Sequence, residues 1–228
     1  METKIISFAN LKGGVGKSTL TTIVANYMNE KNYNFCVVDC DDFQQSLMSK
    51  RQNELENDEI PEKKKDNLYK IYQVNSSEFI SYYENNLDGI YDYVIVDIPG
   101  NLEQKGVKST IVYYNYLFIP LTLSAFDTDS LEKFIGFYRD NIAPILKEHG
   151  KDIQVYGIIY NENKRTRSFK DFYFNQKDNM PFPFMENVIP YAQIFKDYVN
   201  TYQPYYQIND SKGTRNFNEE FLSIINSK

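Results

Sequence analysis

The chain has 228 residues, with 25 Lys and Arg against 31 Asp and Glu for a net charge of −6. A chain this long can bury a core without disulfides or structural metal, and two cysteines with one histidine leave no material for a disulfide scaffold, a four-cysteine zinc site or a His-rich centre. The acidic balance also excludes a protein that coats nucleic acid with its whole surface, so any such contact has to be a local patch. No apolar run reaches the roughly 18 residues of a membrane span, and METKIISFAN lacks the basic and apolar regions of a signal peptide.

Strand-like and helix-like segments alternate along one domain, residues 1–228. The first strand is predicted over 4–9 and the first helix over 17–29. Between them lies Leu11-Lys12-Gly13-Gly14-Val15-Gly16-Lys17-Ser18-Thr19. Gly13, Gly14 and Gly16 permit positive φ and close backbone approach, so successive N–H groups can wrap an anion. The helix start adds partial positive charge, Lys17 can reach terminal phosphates, and the Ser18 hydroxyl can ligate Mg²⁺. Leu11 stands where an ordinary phosphate loop has its first glycine.

The second strand, 35–39, runs into Cys36-Val37-Val38-Asp39-Cys40-Asp41-Asp42-Phe43-Gln44. Asp39 closes the strand and Asp41 follows two residues on, whereas Asp42 reads equally well as a helix cap. Cys36 and Cys40 read as core packing rather than a redox or metal pair. Residues 49–66 are charged and apolar-poor and read as an exposed excursion.

A helix is predicted over 76–86, and then a strand over 93–97 within Tyr91-Asp92-Tyr93-Val94-Ile95-Val96-Asp97-Ile98-Pro99-Gly100. An aspartate ending a buried parallel strand beside a phosphate loop can hold Mg²⁺ through a water. Further strands are predicted over 116–120 and 153–160. A long helix is predicted over 127–149, with shorter ones near 169–175, 192–200 and 217–226. The strands are short, nearly continuously apolar and rich in β-branched residues, as parallel strands covered on both faces are. The result is a doubly wound, mostly parallel α/β sheet flanked by helices, whose ligands bind beyond the C-terminal strand ends. Lys164, Arg165, Arg167 and Lys170 form a local basic cluster in this acidic chain.

Lys12 through Thr19 resembles the deviant Walker A box of the ParA/MinD family of P-loop ATPases. The aspartate pair resembles that family's second box, with Asp42-Phe43 where one proline is usual. Residues 91–100 are similar to its third. The resemblance implies ATP and Mg²⁺ as cofactors, with Gly13, Gly14, Val15, Gly16, Lys17, Ser18 and Thr19 around the phosphates. It implies that Lys12 reaches across a dimer to the partner's nucleotide, that Asp41 positions the attacking water, and that Ser18, Asp39 and Asp97 serve the metal. Asn161 matches the residue that reads adenine, and Pro190 lies in a Val-Ile-Pro segment whose backbone borders the base.

The sequence is most similar to ParA-type partition ATPases. That implies an ATP-dependent homodimer, slow hydrolysis, non-specific DNA contact through Lys164, Arg165, Arg167 and Lys170, and a ParB-like stimulating protein. The cargo would be a plasmid, mobile element or chromosome, in the cytoplasm at the nucleoid. A MinD-like positioner is the alternative. It needs a basic amphipathic C-terminal helix, whereas residues 217–228 carry Lys228 as their one cation, so no membrane partner is expected. The tyrosines 198, 202, 205 and 206 invite comparison with tyrosine-tailed kinases, but Pro204 and a following helix point to folded structure.

Overall fold

The apolar runs at 35–39, 93–97 and 116–121 become strands buried at every residue. The computed structural model describes residues 2–10, 14–40, 47–99, 106–123, 135–150, 152–190, 199–209 and 212–227. Its strands are β1 (Lys4–Phe8), β2 (Phe35–Asp39), β3 (Lys70–Gln73), β4 (Tyr93–Asp97), β5 (Tyr116–Leu121), β6 (Gln154–Glu162) and β7 (Ile189–Pro190). They form one sheet in the order β3-β2-β4-β1-β5-β6-β7, and every pairing is parallel.

Successive strand residues point to opposite faces, so each strand feeds two cores. Ile6, Phe8, Val37, Ile95 and Phe118 pack with α1 (Lys17–Glu30), through Leu20, Ile23, Val24 and Met28. The same core takes α8 (Tyr205–Asn209) through Tyr205 and Tyr206, and α9 (Lys212–Asn226) through Phe217, Phe221, Leu222 and Ile225. Ile5, Val38, Val94, Val96, Leu117 and Ile119 form the other core. It is covered by α4 (Phe79–Asn86), α5 (Val107–Ile111), α6 (Ala143–Glu148) and α7 (Arg167–Asp171).

Several elements depart from the sequence expectation for local reasons. The helix expected from residue 76 begins at Phe79. Ser77 donates from both its N–H and its hydroxyl to the Asn75 carboxamide, while the Ser76 hydroxyl donates to the Cys40 carbonyl, so this stretch is a turn tied to the strand end. Of the helix expected over 127–149, residues 127–134 lie outside the described residues. The rest contains a π-helical turn, Tyr138–Ile142, and α6, and is followed by Gly150 at φ 60°. The helix expected over 192–200 also falls mostly outside, at 192–198.

Strand β3 was not anticipated. It is an edge strand with one buried side chain, Ile71, so it lacks the continuous apolar run that marks its neighbours.

Residues 49–66 hold α2 (Leu47–Glu56) and the short α3 (Glu62–Lys65). Most of their side chains are exposed, but Arg51 and Glu54 are buried. The Arg51 guanidinium donates to the Thr201 hydroxyl (2.5 Å), the Thr201 carbonyl (2.6 Å) and the Tyr69 carbonyl (3.2 Å). The Glu54 carboxylate accepts from the Thr201 N–H at 3.1 Å and from the Thr201 hydroxyl. The charge pattern that reads as solvated therefore bolts α2 to a segment about 150 residues away.

Burial also sets the alkaline behaviour. The Tyr69 and Tyr160 phenols are pushed up to about 12, with burial the first cause for both. The folded chain keeps these protons where an unfolded chain releases them, near pH 10. Their contribution to stability is complete below about pH 10 and is lost as pH rises toward 12. Thermal melts at stepped pH should fall across that window together with the rise in tyrosinate absorbance; a midpoint flat to pH 12 would contradict it.

Candidate nucleotide site

The site grows from three strand ends. Phe8 of β1 pairs in register with Asp97 of β4, and Asp97 pairs with Asp39 of β2. Adjacent parallel strands lie about 4.8 Å apart, so the two aspartates are lateral neighbours at the C-terminal edge of the sheet. Both are buried, at 0% and 1% exposure. Two carboxylates in that position repel each other and favour a cation between or above them. Asp39 also accepts from the Met48 N–H at 3.3 Å, which ties the start of α2 to the strand end.

Beyond β1 the chain is pinned before it turns. The Ala9 N–H donates to the Phe118 carbonyl at 2.9 Å, and the Asn10 carboxamide to the Pro120 carbonyl at 2.7 Å. Gly14 and Gly16 take φ of 73° and 92°, as the sequence anticipates for an anion-wrapping loop. Gly16 has a second constraint. A Cβ there would lie 2.4 Å from the Tyr160 ring, so β6 closes over the loop from the far side. Tyr160 also hydrogen-bonds Thr19. Sequence reasoning passed over Tyr160; its signal was an aromatic directly before Asn161 at a strand end.

Helix α1 starts at Lys17 behind Gly16, with no side-chain cap and no acid in its first turn. Its leading N–H groups and positive dipole end are thus left for an external anion. Lys17 is buried at 7% exposure, while Ser18 is exposed at the loop's mouth. These features fit a nucleotide phosphate chain. They also fit Mg²⁺, a hard cation served by oxygens that keeps waters and phosphate ligands. Ser18, Asp39 and Asp97 supply such oxygens, and among the described residues no three His, Cys, Asp or Glu gather into a complete cage.

On the far side Tyr160 pairs with Ile189 and Glu162 with Pro190, with an irregular step between them. The Asn161 backbone and Pro190 are thereby brought together on neighbouring strands. A cavity of about 420 Å³ opens there, lined by Asn163, Arg165, Val188, Pro190, Gly213 and Asn216. Lys12, Gly13 and Asp41 lie outside the described residues, as does the Asn161 side chain.

Lys164, Arg165, Arg167 and Lys170 follow the end of β6 and are all exposed. Asn163 shapes the turn by accepting from the Arg165 N–H (3.0 Å), and Thr166 caps α7 by accepting from the Phe169 N–H (3.2 Å). Cys36 and Cys40 are buried in one apolar core and form no disulfide, and burial pushes the Cys36 thiol up. Tyr205 and Tyr206 are buried and Tyr202 half-buried, so these three are packed rather than displayed on a tail. The apolar face of α9 packs on the sheet, and no helix among the described residues is long and apolar enough to cross a membrane.

A parallel sheet with a glycine loop at its central strand and acids on the adjoining strand ends defines a P-loop nucleotide-binding fold. Residues 6–205 match the CobQ/CobB/MinD/ParA nucleotide-binding domain, and the chain belongs to that family. No curated protein sequence matches it.

Among solved structures, one relative is a Borrelia burgdorferi B31 protein assigned to plasmid partition and bound to AMPPNP. It is 24% identical, with 98% of this chain and 99% of that one covered and a TM-score of 0.68. The Aquifex aeolicus cell division protein MinD is 16% identical, with 99% and 98% covered and a TM-score of 0.66. Cobyrinic acid a,c-diamide synthase from Mycobacterium smegmatis, with an ATP analogue and magnesium, is 18% identical, with 99% and 96% covered and a TM-score of 0.72.

Proposed function

We propose that this chain is an ATP-driven switch of the ParA type, working in the partition of a plasmid, mobile element or chromosome. The observation that carries the nucleotide reading is the register that sets Asp39, Asp97 and the end of β1 side by side beneath the uncapped start of α1. ATP with Mg²⁺ supplies, when bound, a phosphoryl group that can pass to water. Lys17 and the loop N–H groups hold the phosphate charge, and Ser18, Asp39 and Asp97 serve the metal directly or through water. Asp41 orients the water, and Lys12 completes the site of a second copy, so that binding closes a homodimer and slow hydrolysis opens it. Asn161 and Pro190 border the base.

The partition reading is supported by likeness to the Borrelia protein across both chains and by the basic cluster beyond β6. The cluster gives non-specific DNA contact, and a ParB-like protein stimulates hydrolysis. Against the MinD-like alternative, Phe217, Phe221, Leu222 and Ile225 of α9 are buried rather than available to lipid.

The test combines assembly and surface binding. Asp41→Ala should bind ATP normally and accumulate dimer while hydrolysis falls; Lys12→Ala should stay monomeric with ATP in light scattering. The wild type with ATP should sediment with DNA and not with liposomes. Wild-type hydrolysis in Asp41→Ala would refute the role of that aspartate. Liposome binding without DNA binding would favour the MinD-like alternative.

A further inference from the structure

The helical segment after β6 displays more than charge. Residues 163–177 hold five cations and one carboxylate in a chain of net −6. Within them α7 continues into a π-helical turn, Phe172–Gln176. Its inner face is fixed, because Phe169 and Phe172 are buried in the core. Its outer face carries Arg167, Lys170 and Phe174 at spacings of three and four residues, which brings them onto one side. These three, with Arg165 and Asp171, line an open groove of about 470 Å³.

Phe174 is the anomaly. At 73% exposure it is the most exposed of the large apolar side chains among the described residues; Leu55 (39%) and Ile90 (60%) do not share its basic setting. The ring lies T-shaped to Tyr173, with centroids 5.4 Å apart at 82°, and Tyr173 in turn stacks on Phe169 and donates its hydroxyl to Glu186 at 2.8 Å. The one acid in the groove is occupied, since Asp171 accepts from the Asn175 and Gln176 carboxamides at 2.8 Å each. Arg165, Arg167 and Lys170 make no ion pair among the described residues.

Cations that track a polyanion around a projecting aromatic suit a nucleic-acid duplex: the cations hold phosphates, and the ring wedges against a base step without reading sequence. We infer that Phe174 is a wedge that seats this face on duplex DNA, flanked by phosphate contacts from Arg165, Arg167 and Lys170. The inference rests on the DNA part of the proposed function and adds to it an apolar, salt-independent component.

The chain contains no tryptophan, so Phe174→Trp introduces a single indole at the point of contact. With the full-length chain, ATP and Mg²⁺, random-sequence duplex should quench that fluorescence saturably. Phe174→Ala should weaken duplex binding about fivefold or more, as losing the burial of one phenyl ring does, with the salt slope unchanged. Arg165→Ala with Arg167→Ala should instead flatten the slope of log affinity against log salt by about 1.8.

If the wild type binds duplex while Phe174→Ala binds equally well and the indole is silent, the wedge is overturned and the DNA reading stands. If the wild type fails to bind duplex at low salt, the DNA reading itself falls, and the wedge with it. An indole that blue-shifts on anionic vesicles but ignores duplex also overturns the inference and marks the face as lipid-directed. Matching circular dichroism melts of all variants confirm that the exposed substitutions leave the fold intact.

Discussion

Replacing Lys17 with alanine is expected to weaken ATP binding at least tenfold, or about 1.4 kcal/mol, measured by calorimetry. The structure makes the expectation sharper than the motif alone. Lys17 opens α1 and is buried at 7% exposure, so its charge sits at the positive end of a helix dipole in a poorly solvated position. A phosphate chain there would meet both this charge and the uncapped N–H groups. Removing the ammonium leaves the N–H groups but takes away the full charge. Stabilisation by ATP should largely vanish. Unchanged affinity in Lys17→Ala would overturn the nucleotide assignment for this loop.

The second large effect is on the fold itself. Arg51→Ala should cost about 3–5 kcal/mol, because the Thr201 hydroxyl and the Thr201 and Tyr69 carbonyls stay buried after their charged donor is gone. For a chain of this size that corresponds to roughly 6–20 °C in melting temperature. Arg51→Lys keeps the charge but not the planar fork that serves three oxygens at once, so it should fall between alanine and wild type. A loss below about 1 kcal/mol for the alanine variant would mean that the network is solvated and contributes as a surface pair does. The network also matters to the site. Met48, three residues before Arg51, donates its N–H to Asp39, so the helix bolted by Arg51 is the one that braces a strand-end carboxylate.

Much of this molecule was legible in the chain because the signals are local. The run Tyr93–Asp97 is apolar up to its final aspartate, and no arrangement other than a strand covered on both faces buries it so economically. Gly14, Gly16 and Lys17 point to a helix start that could hold an anion, since the freedom to take positive φ and the charge belong to the residue types themselves. That a sheet places both aspartates near this loop followed from each of them ending such a strand.

What the tertiary structure alone decided are the features made by residues distant in sequence. β3 is a strand because β2 offers it an edge; its own residues, with Ile71 buried, do not demand one. Arg51 and Glu54 look solvated in sequence, and they are buried because Thr201 presents a hydroxyl, an N–H and a carbonyl to them from about 150 residues away. Gly16 must be glycine twice over, once for its φ and once for Tyr160, and the second reason exists only after β6 has joined the sheet. A residue's conformational range and charge are its own and can be read in the chain. Its burial is a property of the partner that covers it, and the fold supplies that partner.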